Sequence, residues 1–260
     1  MLRAKLGKLL VVHRRRRQRR GQERVINHER HASNVARNES LILARVKPRE
    51  ILDAITGIGI VPVVRTHSAE SAIRAVDAIY RGGIRAAEIT MTVPGALRAL
   101  EKVADHYGDK IILGAGTVLD PETARSCMLA GAEFFVTPAL NIKTIEIAKR
   151  YSKVICPGAL TPTEVVTAWE AGADVIKIFP ADSVGGAKYI RSLKAPLPHI
   201  EMIPTGGVNL QTCGDFLKAG ACAVAVGGEL VSAQLIKDED FDEIERRARQ
   251  FREAVVAARS

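Results

Sequence analysis

Residues 154–180 read VICPGALTPTEVVTAWEAGADVIKIFP and contain a strand, a helix and a second strand in order. Val154 to Pro157 is a short apolar run of the kind a buried strand supplies. Thr161-Pro162-Thr163-Glu164 then starts a helix: the threonine caps free N–H groups, proline occupies the first helical position, and glutamate reaches back from three residues on. Val165, Val166 and Trp169 mark its apolar side, and Gly172 stops it. The chain re-enters an apolar run at 175–180 (VIKIFP). A helix between two buried strands is the signal of a parallel β-α-β unit.

The pattern extends in both directions. Further candidate strands are 60–65 (IVPVVR), 87–91 (AEITM), 112–118 (ILGAGTV), 134–138 (FFVTP), 201–205 (EMIPT) and 223–227 (AVAVG), which makes eight with the two above. Ser68 caps a helix whose Ala72, Ile73, Val76 and Ile79 face inward, and Asp120-Pro121 opens another that ends at Gly131. Phe241, Ile244, Ala248, Phe251 and Val255 recur at helical spacing, so 238–258 reads as an amphipathic closing helix. Eight strand-helix units in roughly 210 residues predict an α/β fold, a compact TIM (β/α)8 barrel over 49–260. A doubly wound sheet is the structural alternative.

Composition narrows the class. The chain has 260 residues, 47% hydrophobic, 21 glycines and four cysteines, enough for one sizeable core. These figures exclude a disordered chain, a coiled coil and a disulfide-stapled miniprotein. The net charge of +9 is unevenly placed. Residues 1–50 hold 15 Lys and Arg against 4 Asp and Glu, leaving the rest of the chain at −2. The predicted barrel is therefore not basic, and its charge does not imply nucleic acid. Cys127, Cys156, Cys213 and Cys222 form no C-x-x-C pair and no metal-ligand spacing, which predicts buried thiols in a reducing, cytoplasmic setting. No apolar run approaches the ~20 residues of a membrane span.

Residues 1–48, with Arg14-Arg15-Arg16-Arg17-Gln18-Arg19-Arg20, read as a disordered basic extension. The order of its apolar and basic stretches is wrong for a secretory signal, and Glu23, Glu29 and Glu39 weaken a transit-peptide reading. Alternative start codons at Leu41, Leu43 or Val46 would leave the extension untranslated. Its arginines offer a different class of function, salt-sensitive attachment to RNA or an anionic membrane surface. The extension holds no aromatic residue for base stacking, so no specific nucleic acid is expected.

In a barrel the working residues stand at the C-terminal ends of the strands. Polar residues expected there are Arg65, Glu88 with Thr90 and Thr92, Thr117, Thr137, Lys177 and Thr205. Lys177 interrupts an apolar strand, and desolvation there disfavours the ammonium and frees an amine to attack a carbonyl. Glu88 interrupts another and suits a general acid-base role; a structural ion pair is its plain alternative. An amine nucleophile with a proton shuttle is what imine formation and carbon-carbon cleavage require. Thr205-Gly206-Gly207 and Gly227-Gly228 follow the seventh and eighth candidate strands, where barrels commonly seat phosphate on backbone N–H groups. Gly114-Ala115-Gly116 lacks the third glycine and the acidic partner of a dinucleotide site, so NAD is not expected. Phosphate-binding barrels such as isomerases or thiamin-phosphate synthases are the competing enzymes, but they need no buried imine-forming lysine.

Taken together, VPVVR (61–65), EITMTVPGA (88–96), GAGTVL (114–119), VTPAL (136–140), PGALTPTE (157–164), KIFPA (177–181) and PTGGVN (204–209) resemble the class I 2-keto-3-deoxy-6-phosphogluconate (KDPG) and 4-hydroxy-2-oxoglutarate (KHG) aldolases. The resemblance implies that Lys177 forms a Schiff base with a 2-keto acid and that Glu88 shuttles protons through water. It implies KDPG cleavage to pyruvate and glyceraldehyde 3-phosphate, or KHG cleavage to pyruvate and glyoxylate. The galactonate epimer of KDPG is the alternative substrate. It further implies pyruvyl contact at Thr117, pocket walls at Pro138 and Phe179, a homotrimer, and no metal or other cofactor. Some members grip the substrate carboxylate with an arginine four residues after the glutamate, where Thr92 stands here. Members with this EIT-x-T version instead end the first strand with arginine, so Arg65 is expected to take the carboxylate. Where some members offer a serine to phosphate, this chain has Gly227-Gly228-Glu229, whose carboxylate either turns away or weakens phosphate binding.

Overall fold

The computed structural model describes residues 48–260, so the basic extension, apart from Pro48, and the readings placed on it lie outside the described residues. Nine strands follow: β1 Ile60–Val64, β2 Ala86–Thr90, β3 Ile112–Gly116, β4 Phe134–Val136, β5 Val154–Cys156, β6 Gly158–Ala159, β7 Ile176–Ile178, β8 Met202–Pro204 and β9 Val224–Val226. The helices are α1 Pro48–Ile58, α2 Ala69–Arg81, α3 Ala96–Tyr107, α4 Pro121–Leu129, α5 Ile142–Arg150, α6 Pro162–Glu170, α7 Ala187–Lys194, α8 Cys213–Lys218, α9 Ala233–Lys237 and α10 Phe241–Arg259.

Every strand pairing is parallel. One sheet runs β5-β4-β3-β2-β1-β9 and a second runs β6-β7-β8. The six-stranded order has no reversal of the kind that marks a doubly wound sheet. The fifth candidate strand, 154–157, is observed as β5, and Pro157, which has no N–H to donate, separates it from the short β6 that follows. β5 therefore pairs with β4, β6 pairs with β7, and the Pro157 carbonyl between them accepts from the Lys177 N–H at 2.9 Å.

Helix starts follow the sequence chemistry. Thr161 Oγ1 accepts from the Glu164 N–H at 3.3 Å while Glu164 accepts from the Thr161 N–H at 2.8 Å, closing a reciprocal cap on α6. Ser68 caps α2, and Asp120 caps α4 ahead of Pro121. The closing helix begins at Phe241, after an Asp240 cap.

Alternation along the strands sorts the core into two layers. Outward residues such as Val64, Ile89, Ala115, Phe135, Ile155 and Ile178 pack under the helices. Inward residues Val61, Val63, Phe134, Val136, Val154, Cys156, Val175, Ile203, Ala223 and Ala225 form a second cluster, joined by Ile51 and Ile55 of α1. Helix α1 was not anticipated from the sequence, although Pro48 at its start and Ile51 and Ile55 one turn apart are its signals.

Phe134 fills the inner layer only because its neighbour on β3 is glycine. A Cβ on Gly114 would stand 2.2 Å from the Phe134 ring. Gly114→Ala is expected to cost about 1–3 kcal/mol as an overpacked site, read as a lowered urea midpoint; an unchanged midpoint would contradict this packing.

Candidate active site

The register that builds the inner layer also brings the candidate residues together. Glu88 lies opposite Val63 and Gly114, and Lys177 lies opposite Gly158 and Ile203. Counting by twos from the inner apolar residues places Arg65, Glu88, Gly116, Pro138, Gly158, Lys177, Phe179 and Thr205 on the same face. Arg65, Gly116, Pro138, Phe179 and Thr205 lie at or just beyond the C-terminal ends of their strands, Glu88 and Lys177 lie at the middle of theirs, and Gly158 opens β6.

Glu88 is 1% exposed and Lys177 8% exposed, and both line one cavity of about 10 Å³ with Cys156, Thr205 and apolar residues. That volume is about the room of a single water. Burial pushes the Glu88 carboxyl above its ordinary range, while the positive charges of Lys177 and Arg65 pull it partly back. Among the described residues Glu88 Oε2 and Thr205 Oγ1 are buried without a hydrogen-bond partner. Two open polar atoms beside a buried amine can accept and relay a proton from a reacting group. Burial also drives the Cys156 thiol far up, so it stays an uncharged wall.

Glycine makes room for these groups. A Cβ on Gly116 would lie 2.4 Å from Glu88 Oε1, so the carboxylate occupies space that any other residue would fill. A Cβ on Gly158 would lie 2.4 Å from the Pro138 backbone. The Thr137 hydroxyl holds that approach by accepting from the Gly158 N–H at 3.1 Å and donating to the Ala139 carbonyl at 2.5 Å.

The remaining candidates surround the mouth. Thr117 directly follows β3 with φ +56°, a left-handed backbone that a β-branched residue rarely takes. Such outliers concentrate at functional sites. Phe179 is 38% exposed, with its ring centroid 5.0 Å from Lys177 Nζ. Arg65 is exposed, and among the described residues no hydrogen bond or ion pair engages its guanidinium. Thr92 pairs with the Thr90 hydroxyl at 2.8 Å, and Thr90 is buried.

The two glycine pairs differ. Gly206 and Gly207 have φ +100° and +69°, and Asp182 packs against both, its Oδ1 2.7 Å from where a Gly206 Cβ would stand. Gly227 and Gly228 have open space around them and need no left-handed backbone. The loop they begin is tied by the Gly227 carbonyl, which accepts from Leu230 and Val231, and by Arg247, which donates to the Glu229 carbonyl at 2.9 Å. Thr205 is separated from these loops in role, because its hydroxyl lines the cavity of Lys177 and Glu88. Sequence reading missed Gly116, Gly158 and the cavity position of Cys156, although two-residue alternation from Glu88 and Lys177 carries that signal. Among the described residues no three His, Cys, Asp or Glu group as a metal set, and no helix is long and apolar enough to cross a membrane.

The raised Glu88 carboxyl fixes a sign for stability. The folded state holds this proton more tightly than the unfolded chain, so stability falls as pH rises from the ordinary value of 4.5 through the folded one. Glu88→Gln is expected to raise Tm at pH 7 by roughly 2–4 °C per kcal/mol relieved, with the gain shrinking as pH falls from the folded value toward 4.5 and absent below it. A Tm lowered at pH 7 would contradict a carboxyl whose burial outweighs the attraction of its neighbours.

A family model described as "KDPG and KHG aldolase" matches residues 51–247. The 2-dehydro-3-deoxy-6-phosphogalactonate aldolase of Escherichia coli (strain K12) is 34% identical over 201 residues, 77% of this chain and 98% of the relative. A KDPG aldolase structure from Legionella pneumophila, with pyruvate captured as a covalent carbinolamine, superposes with TM-score 0.72 at 25% identity over 78% of this chain and 97% of that one. A protein cage designed by fusing symmetric oligomeric domains matches with TM-score 0.71 at 32% identity, over 77% of this chain and 73% of that one. The strand-end motifs, the buried lysine and carboxylate, and these likenesses lead to one conclusion: the chain belongs to the KDPG and KHG aldolase family.

Proposed function

We propose that this protein is a class I aldolase that cleaves KDPG, through an imine on Lys177, to pyruvate and glyceraldehyde 3-phosphate. The observation that carries the reading is the meeting of Lys177 and Glu88 in one buried cavity at the strand ends of a chain of this family. The Lys177 amine adds to the C2 carbonyl to form a carbinolamine, and Glu88 donates the proton that lets water leave. The resulting iminium withdraws the electrons of the C3–C4 bond as Glu88 takes the C4 hydroxyl proton, releasing the aldehyde. The enamine then regains a proton at C3, and water frees pyruvate from Lys177. No divalent cation is needed as electron sink, because the protonated imine fills that role.

At the mouth, Arg65 grips the substrate carboxylate in place of an arginine at Thr92, supported by its unengaged guanidinium and its influence on Glu88. Thr117 contacts the pyruvyl group, and Pro138 and Phe179 wall the pocket. The backbone of Thr205-Gly206-Gly207 and Gly227-Gly228 receives the phosphate. Asp182 against Gly206 and the exposed Glu229 put negative charge at that end. They favour a second reading in which the unphosphorylated KHG, cleaved to pyruvate and glyoxylate, is also taken. The Escherichia coli relative makes the galactonate epimer the third substrate to assay.

We read the two sheets as parts of one closed (β/α)8 barrel, supported by the Pro157 junction and by a parallel bridge from Thr205 to Ala225. A homotrimer in the cytoplasm completes the proposal, the symmetric oligomeric domains of the matched cage and the four unpaired thiols supporting it.

The test is pyruvate release measured on KDPG, KHG and the galactonate epimer. Lys177→Ala is expected to abolish release, and Glu88→Gln to slow it by ~10²–10⁴-fold; retained turnover in Lys177→Ala would sink the imine route. Arg65→Ala is expected to raise KM for all three substrates more than it lowers kcat, and an unchanged KM would remove Arg65 from carboxylate binding.

A further inference from the structure

The cavity that holds Lys177 and Glu88 has a floor supplied by neither sheet. Ile55 of α1 lines it, 1% exposed, together with Val61, Phe134 and Ile203 from the strands. Helix α1 packs against β1 and β5, so it spans the N-terminal side of the inner layer rather than lying outside the strands like the other helices. Ile51 and Ile55 face the inner layer, whereas Arg49 and Asp53 pair with each other at 3.0 Å on the exposed side. The end of α1 is fastened from elsewhere: Arg259 of α10 donates to the Gly57 carbonyl at 3.0 Å and to the Cys222 carbonyl at 2.5 Å. A fixed lid of this kind is more than the closing helix of a barrel when it touches the reacting groups.

We propose that Ile55 is a positioning residue for the Lys177 and Glu88 pair, sealing their cavity from below so that bulk water does not reach the carboxylate. This inference rests on the reading of Glu88 as the proton-transfer group. The groups that face Glu88 are Lys177 from β7, Arg65 beyond β1 and the Cys156 thiol from β5; α1 contributes no charged group to the cavity. Burial is the largest influence on the Glu88 carboxyl, so the wall that maintains burial governs its proton affinity. Shortening Ile55 to alanine removes three carbons from that wall. A cavity holding a carboxylate oxygen and a threonine hydroxyl that lack protein partners takes up water when given the room.

The experiment is the pH dependence of kcat/KM for KDPG cleavage by the wild type, Ile55→Ala, Ile55→Val and Ile55→Met, with wild-type trapping by pyruvate and borohydride alongside. The alkaline limb of that profile reports the acid of the free enzyme, here the Glu88 carboxyl that donates the proton as water leaves. Hydration of Glu88 moves the limb to lower pH, by on the order of 0.5–1 unit in Ile55→Ala, less in Ile55→Val, and not at all in the volume-conserving Ile55→Met. A purely structural Ile55 would lower Tm or the rate while leaving the midpoint in place, and that result overturns the proposal. Should Ile55→Ala fail to fold, Ile55→Val carries the same readout. Trapping that succeeds beside an unmoved limb removes Ile55 alone, whereas trapping that fails in the wild type removes the imine reading and this inference with it.

Discussion

Withdrawing a carboxylate and an amine from water into the same small cavity is the constraint around which this protein is arranged. Neither group alone is tolerable there: an isolated buried charge costs several kcal/mol even after the surroundings relax. Here the positive charges of Lys177 and Arg65 oppose the burial that raises the Glu88 carboxyl. The balance leaves a carboxyl that holds its proton more tightly than an exposed one, beside an amine with a hydrocarbon setting. That pairing is unfavourable for folding and useful for moving protons during imine chemistry, a trade common to active sites.

Parallel register converts this constraint into a fold requirement. A slip of one residue in β2 or β7 would turn Glu88 or Lys177 outward under the helices, into the layer held by Ile89 and Ile178. The glycines opposite them are equally bound to register. Gly116 yields its side-chain space to the Glu88 carboxylate, and Gly158 lets β6 approach the Pro138 backbone just where Pro157 hands the chain from one sheet to the other. The inner layer thus grades along the strands from large apolar residues, such as Phe134 and Ile203, through glycine to the polar mouth at Arg65 and Thr117. Thr117 adds local backbone strain at that mouth, held there by the ladder that precedes it.

Much of this was legible in the sequence, for identifiable reasons. The capped helix at 161–170 and the apolar runs flanking it are local signals, and the observed elements reproduce them. Lys177 and Glu88 stood out because a charge in an apolar run breaks the pattern, and the pattern also fixes which face it takes. What escaped was non-local. Helix α1 is short and follows a highly charged stretch, so its two isoleucines were not recognised as the floor of a layer more than a hundred residues long in sequence. The close approaches at Gly116 and Gly158 depend on which strand becomes the neighbour, and Pro157 is read as a strand end until its carbonyl is seen to receive the Lys177 N–H. Asp182 against Gly206 is of the same kind: nothing local in the sequence brings that carboxylate to the glycine pair.

The account stands or falls on whether the Lys177 amine reacts with a keto acid in the cavity it shares with Glu88. A crystal structure of the protein soaked with pyruvate tests this most directly. Continuous density from Lys177 Nζ to C2 of pyruvate, with the Glu88 carboxylate facing the new bond and Arg65 facing the pyruvate carboxylate, is the predicted result. Pyruvate bound elsewhere, or bound here with Lys177 unmodified across the pH range of activity, would contradict it.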